Sequence, residues 1–76
     1  MTGRRIIITK HAGERIEAHG FTPEEITRAI HDGERIPEGR RKARYRLRTK
    51  KGILVAICIE TTEEIHVITV TRGKRW

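Results

Sequence analysis

A histidine and an arginine spaced four residues apart form the first pair in the sequence that could perform acid–base chemistry. His11 and Arg15 stand in the stretch HAGER, and residues four apart on a helix share a face. The reference pKa of imidazole is about 6.5, so a histidine can exchange a proton near neutral pH, while a neighbouring guanidinium can bind phosphate. The alternative is a packing or capping histidine beside a solvated arginine, and the pair alone leaves both open.

The second chemical feature is the stretch RRKARYRLRTKK at positions 40–51, where eight of twelve residues are Lys or Arg and none is acidic. Its middle alternates between apolar and basic residues, a period of two that predicts a half-buried strand. Tyr45 should then face the core, while the arginines form a row on the opposite face. We predict a nucleic-acid-binding surface formed by Arg44, Arg46, Arg48, Lys50 and Lys51.

The charge of the chain is divided between two parts, which favours a polyanionic partner. Positions 10–38 hold seven acidic and four basic residues, a net charge of −3, whereas the rest holds thirteen basic and three acidic residues, a net charge of +10. A one-sided field of this kind steers nucleic acid toward the basic part. The alternative is a charge-rich surface of the kind found in heat-tolerant proteins.

Composition argues against several other kinds of site. The single cysteine, Cys58, lies in an apolar run and is expected to be a buried structural thiol. One cysteine and four scattered histidines lack zinc-ligand spacing, and there is no phosphate-binding glycine motif. We therefore predict no metal and no cofactor. The apolar residues near the N-terminus are too few for a signal peptide or a membrane span, so a cytoplasmic protein without a membrane partner is expected.

These residues must be positioned by a small α+β domain spanning residues 1–76. Thr22, Pro23 and Glu25 form a capping box with proline at the first helical position, the firmest local signal in the chain. The predicted architecture is a two-layer β-α-α-β-β-β domain, with an antiparallel sheet and two short helices packed on one face. A chain this short buries little core, which leaves a homodimer open. The predicted elements are strand 4–9, helices 10–19 and 22–32, and strands 43–48, 53–60 and 65–72.

The segments between and after these elements carry further expectations. Residues 33–39, GERIPEG, are predicted to be a turn-rich connection, and residues 73–76, which end in Trp76, a tail. On the last strand, period-two alternation places His66 on the face opposite Thr69 and Thr71.

The combination of ITKHAGERIEAHGFTPEEITRAIHDGE, RYRLR and HVITV resembles a small prokaryotic family of unknown function marked by a His-x-x-x-Arg motif. That family is similar to RelE- and BrnT-type toxins, within the barnase–EndoU–colicin–RelE fold group. The resemblance implies metal-independent RNA cleavage, with His11 as acid or base and Arg15 as a phosphate clamp. It also implies that Arg72 and Lys74 make secondary RNA contacts. The C-terminal tyrosine that some RelE toxins use has no counterpart here.

Three functions follow as hypotheses. The first is a toxin-like, metal-independent endoribonuclease of a toxin–antitoxin module, acting on RNA such as ribosome-bound mRNA. The second is a non-catalytic nucleic-acid-binding module, whose affinity would fall steeply with salt. The third is a protein-interaction domain that binds an acidic, antitoxin-like partner, which is compatible with the first because such a partner would mask the RNA-binding face.

Overall fold

The computed structural model describes residues 4–74 and shows an α+β domain with one five-stranded sheet and two helices. Trp76, in the predicted tail, lies outside the described residues. Within residues 4–74, no helix has the length and apolar character needed to span a membrane. The elements, in chain order, are β1 (Arg5–Ile8), α1 (Lys10–Ala18), α2 (Pro23–Asp32), β2 (Glu34–Pro37), β3 (Lys42–Thr49), β4 (Gly52–Glu60) and β5 (Glu64–Gly73).

Local side-chain contacts start both helices where the sequence predicts. The Thr9 hydroxyl accepts a hydrogen bond from the Ala12 amide at 3.2 Å and so caps α1. At α2, the Thr22 hydroxyl accepts from the Glu25 amide, and the Glu25 carboxylate accepts from the Thr22 amide at 2.9 Å, which completes the capping box. Gly20 follows α1 with a φ of 78°, a left-handed conformation that glycine adopts without steric cost.

The sheet is mixed, with the strand order β1-β5-β4-β3-β2, and this corrects the predicted all-antiparallel sheet. β3, β4 and β5 form the predicted antiparallel meander, but β1 pairs parallel to β5. The direction follows from the position of α1. Thr9, just after β1, donates a hydrogen bond to the Val67 carbonyl of β5. From there α1 runs along the second half of β5, and the His19 carbonyl at its end accepts a hydrogen bond from Arg72.

A fifth strand corrects the predicted turn-rich connection. β2 pairs antiparallel with β3 over its whole length, from Glu34 opposite Arg46 to Pro37 opposite Ala43. Gly33 leads directly from α2 into this edge strand, and a Cβ at that position would lie 2.5 Å from the Ala29 carbonyl oxygen. Because the backbone passes so closely, only glycine allows α2 to end here and β2 to begin. Proline at the end of an edge strand leaves no ladder hydrogen bond unmade.

Both helices contribute to a single core on one side of the sheet. Ile26, fully buried, is the largest core residue of α2, and Tyr45 is 3% exposed, as the alternation of β3 predicts. The Cys58 thiol is buried, as expected, and burial raises its pKa to about 12, so it is not a nucleophile at neutral pH. The core residues are Ala12, Ile16, Phe21, Ile26, Ala29, Ala43, Tyr45, Leu54, Ala56, Cys58, Ile65, Val67 and Val70.

A β-bulge in β5 corrects the predicted faces of the last strand. Thr69 pairs with Ile57 and His66 pairs with Ile59, so that Ile68 is the extra residue between them. Ile57 and Ile59 are two apart on one strand and share a face. The bulge therefore places His66 and Thr69 on the same face of the sheet, whereas simple alternation placed them on opposite faces.

Candidate nucleic-acid interface

The face of the sheet turned away from the helices, here called the open face, combines a basic row with an apolar strip. β3 contributes Arg44, Arg46 and Arg48, which pair across the sheet with alternate residues of β4. Those three β4 residues are aliphatic, as is Ile59, which pairs with Lys42, and three of these four residues are only partly buried. The open face is therefore less polar than the arginine row alone suggests. The apolar strip consists of Ile53, Val55, Ile57 and Ile59.

Acidic residues on and beside β2 partly neutralise the arginine row. Arg44 Nη2 lies 2.5 Å from Glu38 Oε2, and Arg46 Nε lies 2.9 Å from Glu34 Oε1. Both pairs are partly exposed, and pairs of this kind stabilise a fold by about 0–1 kcal/mol each. A stronger anion such as a phosphate can displace the carboxylates at little cost. The pairs therefore hold the arginines in place on the open face without locking them.

The basic surface continues around the β3–β4 hairpin into a groove beside α2. Arg48 and Lys50 line this groove together with Lys51 and Arg28, which belongs to α2. The groove measures about 680 Å³, and Glu25 is the acidic residue in its lining. Sequence reasoning missed Arg28 because it stands in the acidic part of the chain, far from the basic run. The fold extends the predicted surface to a residue of the helical layer.

Two of the predicted nucleic-acid contacts hold the hairpin and β5 against the α1–α2 turn. Lys51 donates to the Gly20 carbonyl at 2.7 Å and pairs with Glu25 at 2.8 Å, while Arg72 donates to the His19 carbonyl at 2.7 Å. Both cations also lie over the ring of Phe21, at 5.7 and 5.3 Å from its centroid. These contacts satisfy carbonyls at the end of α1 and stabilise the packing. Lys74 follows β5 and is exposed.

His11 lies at the margin of the open face. Its Nε2 is 3.4 Å from the hydroxyl of Thr69, and the imidazole is exposed. Thr69 pairs with Ile57, and Ile57 pairs with Arg44, so all three lie in one row across the sheet. Adjacent strands are about 4.8 Å apart, which separates the backbones of Thr69 and Arg44 by about 10 Å. The fold thus brings an imidazole and a guanidinium to the same level of one face.

Arg15 is directed along α1 rather than toward His11. Its Nη2 lies 3.1 Å from Nε2 of His19, one turn further along the helix. A guanidinium can only donate, so Arg15 is the donor in this contact. Although His11 and Arg15 share a helix side, each has a different polar neighbour. To act as the implied phosphate clamp, the Arg15 side chain would have to leave His19.

A buried charged cluster on the helix side of the sheet also escaped the sequence prediction. Glu60, 8% exposed, accepts from Arg35 Nη2 at 2.6 Å and Nε at 3.2 Å, and the Tyr45 hydroxyl donates to the same carboxylate. The Arg35 guanidinium holds the pKa of Glu60 below its usual range despite burial, with Tyr45 assisting. Burial and the neighbouring carboxylate raise the pKa of Tyr45. The Arg35–Glu60 pair is therefore charged at neutral pH while Tyr45 keeps its proton, and the three side chains tie β2, β3 and β4 together.

Residues 4–74 contain no group of three or more His, Cys, Asp or Glu side chains placed to hold a metal ion. No protein-family model, curated protein or solved structure matches the chain. The family resemblance of the His-x-x-x-Arg motif therefore stays a prediction.

Proposed function

We propose that the protein binds RNA across the open face and cleaves it as a metal-independent endoribonuclease of the toxin–antitoxin type, with His11 as the proton-transfer group. The observation that carries the proposal is the row formed by Thr69, Ile57 and Arg44, with His11 at its margin. A strand of RNA lying along this row would contact a cation and an imidazole on one surface. Phosphate contacts supply most of the affinity in such complexes.

The chemistry requires two proton transfers and one phosphate contact. Neutral His11 would remove the proton of a ribose 2′-hydroxyl, whose oxygen then forms a bond to the adjacent phosphorus. The bond from phosphorus to the 5′-oxygen breaks, and that oxygen takes a proton from solvent water. The products are a 2′,3′-cyclic phosphate and a 5′-hydroxyl. A guanidinium beside the phosphoryl oxygens would stabilise the charge that develops in the transition state.

The route of the RNA follows the cations that the fold leaves on the surface. From the open face it would pass Arg44 and Arg46, turn at Arg48 and Lys50, and enter the groove lined by Arg28. Each phosphate contact on single-stranded RNA contributes about −0.7 to the slope of log K against log salt concentration. Binding through this surface is therefore expected to weaken steeply as salt is added.

The test is cleavage of RNA, with and without added ribosomes, by wild-type protein and His11→Ala in the presence of EDTA. A positioned general acid or base contributes about 10²- to 10⁴-fold to a rate, so the variant should lose at least 100-fold. His31→Ala is the matched control, because His31 is also an exposed helical histidine. Since both histidines are exposed, thermal unfolding should be unchanged in both variants.

The outcomes separate the proposal from its alternatives. Unchanged cleavage by a folded His11→Ala variant removes His11 from the mechanism. Salt-dependent binding without cleavage by the wild type would leave a nucleic-acid-binding module.

The apolar strip on the open face favours a second candidate function, the binding of an acidic protein segment. Ile57 and Ile59 are partly exposed beside the arginine row, and a partner with apolar and acidic residues would complement both. Such a partner would cover the RNA-binding face, which makes the two functions compatible. The first observation to make is whether a small acidic reading frame adjoins the gene.

Substitution of Ile57 and Ile59 by Thr distinguishes the two functions. The double variant should weaken a protein partner while leaving RNA affinity nearly unchanged, because the arginines remain. Calorimetry with the purified partner and RNA-binding titrations would measure the two effects. A loss of RNA affinity equal to the loss of partner affinity would contradict this division of the open face.

A further inference from the structure

A cleft on the helix side of the sheet lies outside the surface assigned to RNA. It encloses about 210 Å³ between the start of β1, the last turn of α2 and the sheet. Its lining combines three isoleucines with three residues that carry polar groups. The lining residues are Arg4, Ile6, Ile30, His31, Tyr45 and Ile65.

The position of α1 explains why this cleft exists. His11, in the first turn of α1, contacts Thr69, and His19, just past its end, contacts Arg72, so the helix lies over the second half of β5. Ile65, in the first half of β5, pairs with Ile6 and remains beside the cleft rather than under α1. The gap is therefore set by the path of the backbone and is not a local packing fault.

The electrostatic surroundings of the cleft favour an anion. Arg4 lines the cleft and lies near enough to Glu60 to help lower the pKa of that carboxyl. Glu60 is already matched by Arg35, which donates two hydrogen bonds to it. Among residues 4–74, the ion pairs closer than 4.0 Å do not include Arg4. Arg35 thus balances the charge of Glu60, and Arg4 adds a positive charge to the lining of the cleft.

The geometry points to a binding site in this cleft for a small anionic ligand, one with a carboxylate or phosphate group on a compact apolar or aromatic body. The anionic group would pair with Arg4, and the body would lie between Ile6, Ile30 and Ile65. Drug-sized ligands need cavities of about 300–1,000 Å³, so the ligand must be smaller than these. The site lies on the opposite side of the sheet from the open face and does not depend on RNA binding.

The probe for this site is benzoate, compared with two analogues of the same shape. Benzamide is neutral and benzamidine is cationic. Titration is followed by NMR of protein with labelled isoleucine methyl groups, which reports directly on Ile6, Ile30 and Ile65. Benzoate should shift these three methyl signals with a Kd on the order of millimolar, as is usual for so small a ligand. Benzamide should bind about tenfold more weakly, because it lacks the charge.

Two neighbouring arginines provide a matched pair of variants. Arg4→Gln should weaken benzoate binding about tenfold through loss of a charge-assisted contact. Arg5→Gln removes the same charge from the next residue, which pairs with Glu64 at 2.5 Å and is 75% exposed. It should bind benzoate like the wild type. Both residues lie at the surface at the start of β1, so neither substitution should unfold the protein. The isoleucine methyl spectrum of each variant without ligand checks this.

Several results would overturn the inference. Absence of shifts at the three isoleucines would show that the cleft takes no such ligand. Equal affinity for benzoate and benzamide, or a preference for benzamidine, would contradict an anion site. Equal weakening by the Arg4 and Arg5 variants would attribute binding to overall charge rather than to the cleft.

Discussion

Two double variants that break the same ion pairs should change RNA affinity in opposite directions. In the first, Glu34 and Glu38 become Gln, and in the second, Arg44 and Arg46 become Gln. Both variants lose the contacts between β2 and the arginine row. Exposed pairs contribute about 0–1 kcal/mol each, so both should lose at most about 2 kcal/mol of stability. The comparison therefore separates the charge of the open face from its stability.

The expected changes in RNA affinity follow from the same contacts. RNA that binds the wild type has to displace the two carboxylates from the arginines, which costs about 1 kcal/mol. Removing the carboxylates should therefore raise the RNA affinity roughly fivefold. Removing the two arginines deletes two phosphate contacts and should flatten the salt slope by about 1.4. Fluorescence anisotropy with a labelled single-stranded RNA, over a series of salt concentrations, measures both quantities.

A third double variant controls for net charge. Glu17→Gln with Glu24→Gln changes the charge of the chain by the same two units, at exposed positions of α1 and α2. This control variant should gain some RNA affinity over the wild type. Its gain should be smaller than the gain of the Glu34 and Glu38 variant. If the two glutamate variants gain equally, overall charge explains binding. If the Glu34 and Glu38 variant binds more weakly than the wild type, the proposed RNA surface is wrong.

Three further predictions concern the structure that supports the open face. Glu60→Gln should lower the free energy of unfolding by about 1.5–3 kcal/mol at pH 7, since it weakens charge-assisted hydrogen bonds. Because folding lowers the pKa of Glu60, its contribution is present above the ordinary value of 4.5 and is lost as the pH falls through the folded pKa. Gly33→Ala should destabilise markedly, whereas Gly13→Ala should stabilise by about 0.5–1 kcal/mol, because a Cβ at Gly33 would collide with backbone and a Cβ at Gly13 would meet open space. Thr22→Ala should cost about 1 kcal/mol by removing the cap of α2.

Urea unfolding at pH 7 and at a series of lower pH values checks these three predictions. The pH dependence of the Glu60→Gln variant should be shallower than that of the wild type, and identical slopes would show that Glu60 titrates normally. A stable Gly33→Ala variant would contradict the close passage between α2 and β2. For Thr22, Thr27→Ala is a comparison on the same helix, since its hydroxyl bonds only within α2.

The sequence predicted those elements whose signals are local. The capping box of α2 lies within four residues, and the alternation of β3 is continuous, so both were found with bounds close to the observed ones. The inward orientation of Tyr45 followed from the same alternation. A half-buried strand leaves this pattern because one face meets the core and the other meets water.

The features that were missed depend on contacts between distant parts of the chain. β2 has no alternating pattern of its own and exists because β3 pairs with it. The parallel direction of β1 follows from the path of α1, and the bulge at Ile68 inserts one residue without any turn signal. Glu60 accepts hydrogen bonds from Arg35, which lies twenty-five residues earlier in the chain. No spacing rule within one element could have brought these two together.

The candidate site was predicted in part. The arginine row and His11 were both named from the sequence, but the row of paired residues that links Arg44 through Ile57 to Thr69, the neighbour of His11, required the register of three strands. The roles of Lys51 and Arg72 at the end of α1 depend on how the hairpin folds back on the helices. Charge patterning identifies cations but does not distinguish those that hold the fold together from those that remain exposed.

RNA cleavage in EDTA by wild-type protein and by His11→Ala decides whether the open face carries catalysis or binding alone. We predict that the wild type releases fragments with 2′,3′-cyclic phosphate ends, and that His11→Ala binds the RNA with unchanged affinity but cleaves it at least 100-fold more slowly. Equal cleavage by both proteins, or no cleavage by the wild type under conditions where it binds RNA, would contradict the account.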